Sequence, residues 1–116
     1  MKSIANQLID MGYIVVIPKE VDWDNIPKEN HSACKKELSM EYFDEIAKED
    51  THAILVVNDM KRETENYIGA STFAEIAIAF YFDKKIFILN NIYSPYKEEL
   101  STWGAILLNG KLNNIV

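Results

Sequence analysis

The sequence predicts an α/β fold, three layers deep, with helices packed on a parallel sheet. Three observations predict it. The chain of 116 residues, 48% of them hydrophobic, has the length of a single domain, residues 1–116, built around one core. Four short runs, 13–17 (YIVVI), 53–57 (AILVV), 86–89 (IFIL) and 105–108 (AILL), are apolar throughout, as strands covered on both faces are. Segments of helical spacing separate these runs, which is what right-handed crossovers between parallel strands require.

Taken in order, residues 2–11 put Ile4, Leu8 and Met11 on one helical stripe, and Gly12 stands where a left-handed C-cap belongs. The run 13–17 is β-branched and aromatic, and Pro18 stops it, so it reads as a strand inside the sheet. Residues 19–37 are polar, contain Pro27 and keep no period; they read as an excursion anchored by Val21, Trp23 and Ile26. Helical spacing resumes over 38–49 through Leu38, Tyr42, Phe43 and Ile46. After the 53–57 strand comes a polar loop, 58–67. A helix then starts at Ser71 or Thr72, and its body, 73–82 (FAEIAIAFYF), holds a single charge, Glu75. Such a helix is buried on more than one face. Ser94 and Pro95 read as an N-cap and first-turn pair for a short helix toward Trp103, and Asn109-Gly110 as a turn closing the last strand.

Charge and cysteine content exclude several functions. Twelve Lys and Arg against 18 Asp and Glu give a net charge of -6, without the basic footprint of a nucleic-acid binder. Cys34 is the single cysteine, so no intrachain disulfide or paired-cysteine zinc site is expected, and His31 and His52 add too few ligands for a metal centre. No apolar run approaches the roughly 20 residues that span a bilayer, and no signal-like segment opens the chain, so a cytoplasmic protein without membrane association is expected.

In parallel α/β sheets ligands bind beyond the carboxyl ends of the strands. That rule points to the loop after 53–57 and the helix start that follows it, Asn66-Tyr67-Ile68-Gly69-Ala70-Ser71-Thr72-Phe73-Ala74-Glu75. Gly69 permits close backbone approach, Ser71 and Thr72 offer hydroxyls, and helix N-terminal N–H groups favour an anionic or hydroxyl-rich ligand. Glu75 has two readings. Thr72 and Glu75 fit a T-x-x-E capping box, and a lone carboxylate in an apolar helix also fits a functional group.

The order of an apolar strand, an acidic loop, Gly69-x-Ser71-Thr72-x-x-Glu75 at a helix start, a small-residue helix and the strand 84–90 (KKIFILN) resembles the nucleoside 2-deoxyribosyltransferase-like superfamily. The likeness covers most of the chain and is most specific over 53–90, with Tyr67-Ile68-Gly69 and the closing run 106–110 (ILLNG) nearest its uncharacterised bacterial and archaeal branch. The resemblance implies a Rossmann- or flavodoxin-like sheet, no cofactor, and a homodimer or higher homo-oligomer. It also implies chemistry at the N-glycosidic bond of a small-molecule nucleoside or nucleotide. Glu75 matches the nucleophile that attacks the anomeric carbon, and Asp59 matches the carboxylate that handles the base; Asn66, Gly69, Ser71 and Thr72 would hold substrate.

Against that pattern the first strand and its Gly-Ser loop are absent, and Ala70 and Ala77 stand where relatives favour glycine. Losing a central strand leaves its neighbours to pair directly, to be filled by another chain, or to await an upstream segment, since each buried unpaired backbone group costs roughly 1–3 kcal/mol. Two functions follow: a transferase or N-glycosidase acting through Glu75, or a non-catalytic nucleotide-binding or oligomer-forming module of the same fold. A receiver-type signalling domain is disfavoured, because the paired acidic residues after a first strand are missing. Tyr93, Tyr96 and Trp103, crowded into one short region, are expected to mediate self-association.

Overall fold

The computed structural model describes residues 3–17, 21–61 and 63–115. Lys2 of the predicted first helix, Pro18 with Lys19 and Glu20, and Arg62 of the polar loop lie outside the described residues. Two compact units divide the chain, Met1–Lys35 and Lys36–Val116. Among the described residues no helix is long and apolar enough to cross a membrane.

In the first unit, helix α1 (Ile4–Asp10) opens on Ser3, whose Oγ accepts the N–H of Asn6 at 3.2 Å. Gly12, at φ +97°, ends it as the spacing predicted. The N–H of Gly12 donates to Ile9 O and that of Tyr13 to Leu8 O, the paired bonds of a Schellman motif. The chain then stays extended over 13–17 but joins no ladder, and Ile14 is fully exposed. The strand expected there is not formed. Its β-branched composition fits a pleated surface only when a neighbouring strand supplies one, and among the described residues none does.

A 3-10 turn at Trp23–Asn25 precedes helix α2 (Lys28–Ala47), which begins in this unit. His31 Nε2–H donates to the carbonyls of Trp23 (3.0 Å) and Ile26 (2.8 Å), and its ring meets Trp23 edge-on at 5.2 Å. These contacts tie the turn to the helix. Residues 28–37 are therefore helical, which corrects the expectation of an irregular excursion across 19–37.

The second unit is a mixed α/β arrangement around a small, open, parallel sheet. Its elements are β1 (Ala53–Val56), α3 (Ala70–Tyr81), β2 (Lys85–Ile88), α4 (Lys97–Thr102) and β3 (Ile106–Leu107). The strand order is β1-β2-β3, with Ala53 opposite Lys85, Val56 opposite Ile88 and Phe87 opposite Ile106. Three of the four expected runs thus form the parallel sheet. Val56, Ile86 and Ile88 meet Ile76 and Ala79 of α3, Ile46 of α2, Ile68 and Leu100 in one buried cluster. Sealing several side chains of this size from water is what holds such a sheet to its helices, at about 1.5–3 kcal/mol for each one buried fully.

Helix α3 starts one residue before the expected Ser71, with Gly69 as N-cap and no side-chain capping bond. The Thr72–Glu75 capping box is consequently not made: Thr72 already lies in the first turn, and Glu75 falls in the second. At the far end Asp83 takes φ +59°, and the N–H groups of Asp83 and Lys84 donate to Phe80 O and Ala79 O. Helix α4 ends the same way, Gly104 at φ +77° donating to Ser101 O and Ala105 to Leu100 O. Its start differs from the sequence reading, since Ser94 and Pro95 belong to a 3-10 turn and Tyr96 is the residue before α4.

The crowded aromatics have intrachain partners. Trp103 stacks on Phe73 and on Phe80, each at 5.3 Å, while Tyr96 lies 4.2 Å from Phe73 and 5.1 Å from Tyr93. These rings pack α4 and the turn before it against α3, so their crowding does not by itself call for a second subunit.

Candidate functional site

Beyond the carboxyl end of β1 the chain is held by Asn58, whose side chain is 1% exposed. Its Nδ2 donates to the carbonyls of Asn91 (2.7 Å) and Asn66 (3.3 Å), and its Oδ1 accepts the backbone N–H of Asn90 (2.9 Å). One carboxamide therefore satisfies itself while pinning three loop positions, the condition under which a polar group can be buried at little net cost. Asn90 returns the contact, its Nδ2 donating to Asn58 O (3.1 Å) and to Asp59 Oδ1 (3.3 Å).

Past Asp59 the loop turns back on itself, Lys61 and Thr64 exchanging two backbone hydrogen bonds of 3.0 and 2.9 Å. Asn66, at φ +57°, redirects the chain so that Ile68 enters the core at 1% exposure. Lys61 Nζ sits 5.8 Å from the centroid of the Tyr67 ring, which also meets the Tyr93 ring edge-on at 5.5 Å. Gly69 then opens α3. The first helical bond runs from Phe73 N–H to Gly69 O, so the N–H groups of Ala70, Ser71 and Thr72 precede the ladder, and the helix dipole adds partial positive charge there.

These elements enclose an open cleft of about 500 Å³, lined by Val57, Asp59, Met60, Lys61, Tyr67, Gly69, Ala70, Ser71 and Thr72. Four of the six residues singled out in the sequence, Asp59, Gly69, Ser71 and Thr72, share it. Asn66 does not line it, but contributes its carbonyl to the Asn58 clamp. Glu75 lies one turn beyond Thr72, is half-buried, and is not among the cleft-lining residues. Burial raises its pKa above the ordinary carboxyl value of 4.5. The cleft thus offers one carboxylate, one ammonium, the hydroxyls of Ser71 and Thr72, free helix N–H groups and the phenol ring of Tyr67, a set suited to a small polar ligand with a flat apolar part.

Sequence reasoning assigned no role to Asn58, Asn90 or Lys61, and named Tyr67 only within the helix-start segment. For Asn58 a signal existed: an asparagine directly after a fully apolar strand is either solvated or a buried connector, and spacing alone does not separate the two. Among the described residues no group of three or more His, Cys, Asp or Glu is placed to hold a metal ion. Comparison of the chain with protein-family models, curated proteins and solved structures finds no match.

Proposed function

We propose that the chain is a nucleoside or nucleotide deoxyribosyltransferase-like protein, and that the cleft at the end of β1 receives the substrate. The observation that carries this reading is the gathering of Asp59, Gly69, Ser71 and Thr72 around one cleft of nucleoside size. In this reading the three-stranded sheet is part of a three-layer, Rossmann-like sandwich, and the protein works in the cytoplasm without a cofactor. Self-association as a homodimer belongs to it too. Exposed Tyr81 and Phe82, at the end of α3, support that part, and light scattering at tens of micromolar tests it.

The chemistry runs in two displacements. The carboxylate of Glu75 attacks the anomeric carbon, a C–O bond forms, the C–N bond breaks, and the base leaves with the electron pair while Asp59 assists its protonation. A second base, or water, then attacks the same carbon and restores the carboxylate. The partial burial of Glu75 reduces the hydration of its carboxylate, which favours it as a nucleophile once ionised.

A non-catalytic nucleotide-binding or oligomer-forming module is the second reading, and one observation favours it: Glu75 does not line the cleft. Chromatography of deoxynucleosides and their 5'-monophosphates, incubated with the protein and with Glu75→Ala, separates the two. Base release by the wild type, abolished in Glu75→Ala, is the expected result. Saturable binding without release assigns the module.

A further inference from the structure

We propose that Asn90 is the positioning residue of the cleft, its carboxamide fixing the Asp59 carboxylate relative to the end of β1. The assignment rests on geometry within two adjacent loops. Asp59 is exposed and lies three residues beyond Val56, the last residue of β1. Asn90, leaving the neighbouring parallel strand, places Nδ2 within 3.1 Å of Asn58 O and 3.3 Å of Asp59 Oδ1. Both donors of one NH₂ group are thereby used, one on the backbone just before Asp59 and one on its side chain.

The backbone around Asn90 is itself held by hydrogen bonds. Its own N–H is held by the buried Oδ1 of Asn58 at 2.9 Å, and the adjoining Asn91 carbonyl takes Asn58 Nδ2 at 2.7 Å. Next door, Leu89 donates to Val56 O at 2.9 Å and accepts from Gly110 at 2.6 Å. A carboxamide anchored this way restricts the orientations of the carboxylate it touches, which is how a supporting residue turns an exposed acid into an oriented one. Asn90 itself does not line the cleft; it acts through Asp59.

The functional meaning rests on the reading of the cleft as a nucleoside site, whereas the positioning itself does not. Asn90→Ala removes both side-chain bonds and leaves the backbone N–H bond to Asn58. Asn90→Asp keeps the shape, removes the donors and sets a second carboxylate beside Asp59. Carbon-detected NMR of the whole chain should show the Asp59 carboxyl resonance displaced in both variants, with the amides of Ile86, Phe87 and Ile88 unmoved. An Asp59 resonance unchanged in Asn90→Ala overturns the proposal.

If the wild type releases base, Asn90→Ala should lower kcat about tenfold with KM within about twofold, and Asn90→Asp should also displace the pH profile of kcat. Unchanged kcat in both variants overturns it. A wild type that releases no base defeats the nucleoside reading alone, because the resonance of Asp59 still decides the positioning. Should neither variant fold, the wild type suffices: a nuclear Overhauser contact between the Asn90 amide protons and the Asp59 β protons is expected, and its absence overturns the proposal.

Discussion

Phe73 and Trp103 stack with their ring centroids 5.3 Å apart and their planes 24° from parallel. Phe73 directly follows Thr72, so this stack fastens the cleft-forming end of α3 to the residue that terminates α4. Trp103→Ala removes that stack together with the one to Phe80, and is expected to cost about 2–4 kcal/mol in urea unfolding. A double-mutant cycle with Phe73→Leu should return a coupling of about 1 kcal/mol; additive losses would mean that the rings share only buried area.

Asn58→Ala strips the partners from Asn66 O, Asn91 O and Asn90 N–H together. With 1–3 kcal/mol at stake for each buried group left unsatisfied, and water able to reach some of them, the expected loss is about 3 kcal/mol. Asn58→Asp keeps the acceptor for Asn90 but not the donors, and should fall between wild type and alanine. An alanine variant as stable as the wild type would show that the loops hold their places without the clamp.

Glu75 predicts a particular dependence on pH. Its folded pKa lies above 4.5, so between 4.5 and that higher value the folded chain binds more protons than the unfolded one. Stability from this group is therefore fully present below pH 4.5 and is lost as pH rises through the folded pKa. Glu75→Gln removes that loss. Urea midpoints measured between pH 4 and 7 should show the difference between variant and wild type growing in the variant's favour as pH rises. A constant difference would contradict burial as the cause. Should the protein be catalytic, its acid limb should lie at higher pH than an ordinary glutamate gives.

Gly104 offers a clean measure of backbone strain. A Cβ placed there would meet no atom within 4 Å, yet the residue sits at φ +77°. Any cost of Gly104→Ala is therefore conformational, and about 1 kcal/mol is expected from thermal or chemical unfolding. A loss of several kcal/mol would mean that the end of α4 rearranges.

The sequence made the interior legible wherever local pattern and tertiary partner agree. The runs 53–57 and 86–89 became β1 and β2 because each has a parallel neighbour and helices to cover it. Residues 13–17 are as β-prone as either, but ladder bonds are a property of pairs of segments, and composition cannot report whether a partner exists. The first half of α2 escaped for a different reason. KENHSACKKE is polar on every face, so it carries no apolar stripe, and Pro27 was read as a breaker although it stands just before the first turn, where its missing N–H is harmless. At the cleft the backbone of Gly69 and the hydroxyl residues were readable from the helix-start pattern. The Asn58–Asn90 pair was not, since 32 residues separate the two and only the register of β1 on β2 brings them together.

The Schellman endings of α3 and α4 divide the second unit's sheet into two ends with different freedoms. At the amino ends of β2 and β3 each helix hands over through a left-handed residue, Asp83 or Gly104, to a strand that begins two residues later. An inserted residue there would break the capping bonds and shift the register of the sheet. At the carboxyl end of β1 the connection to α3 is long, turns on its own Lys61–Thr64 bridge, and is fastened at a few points by Asn58. Changes in loop length therefore cost the sheet least at the end that carries the cleft: one rim is held in register by short, capped connections, and the other can be lengthened without moving a strand.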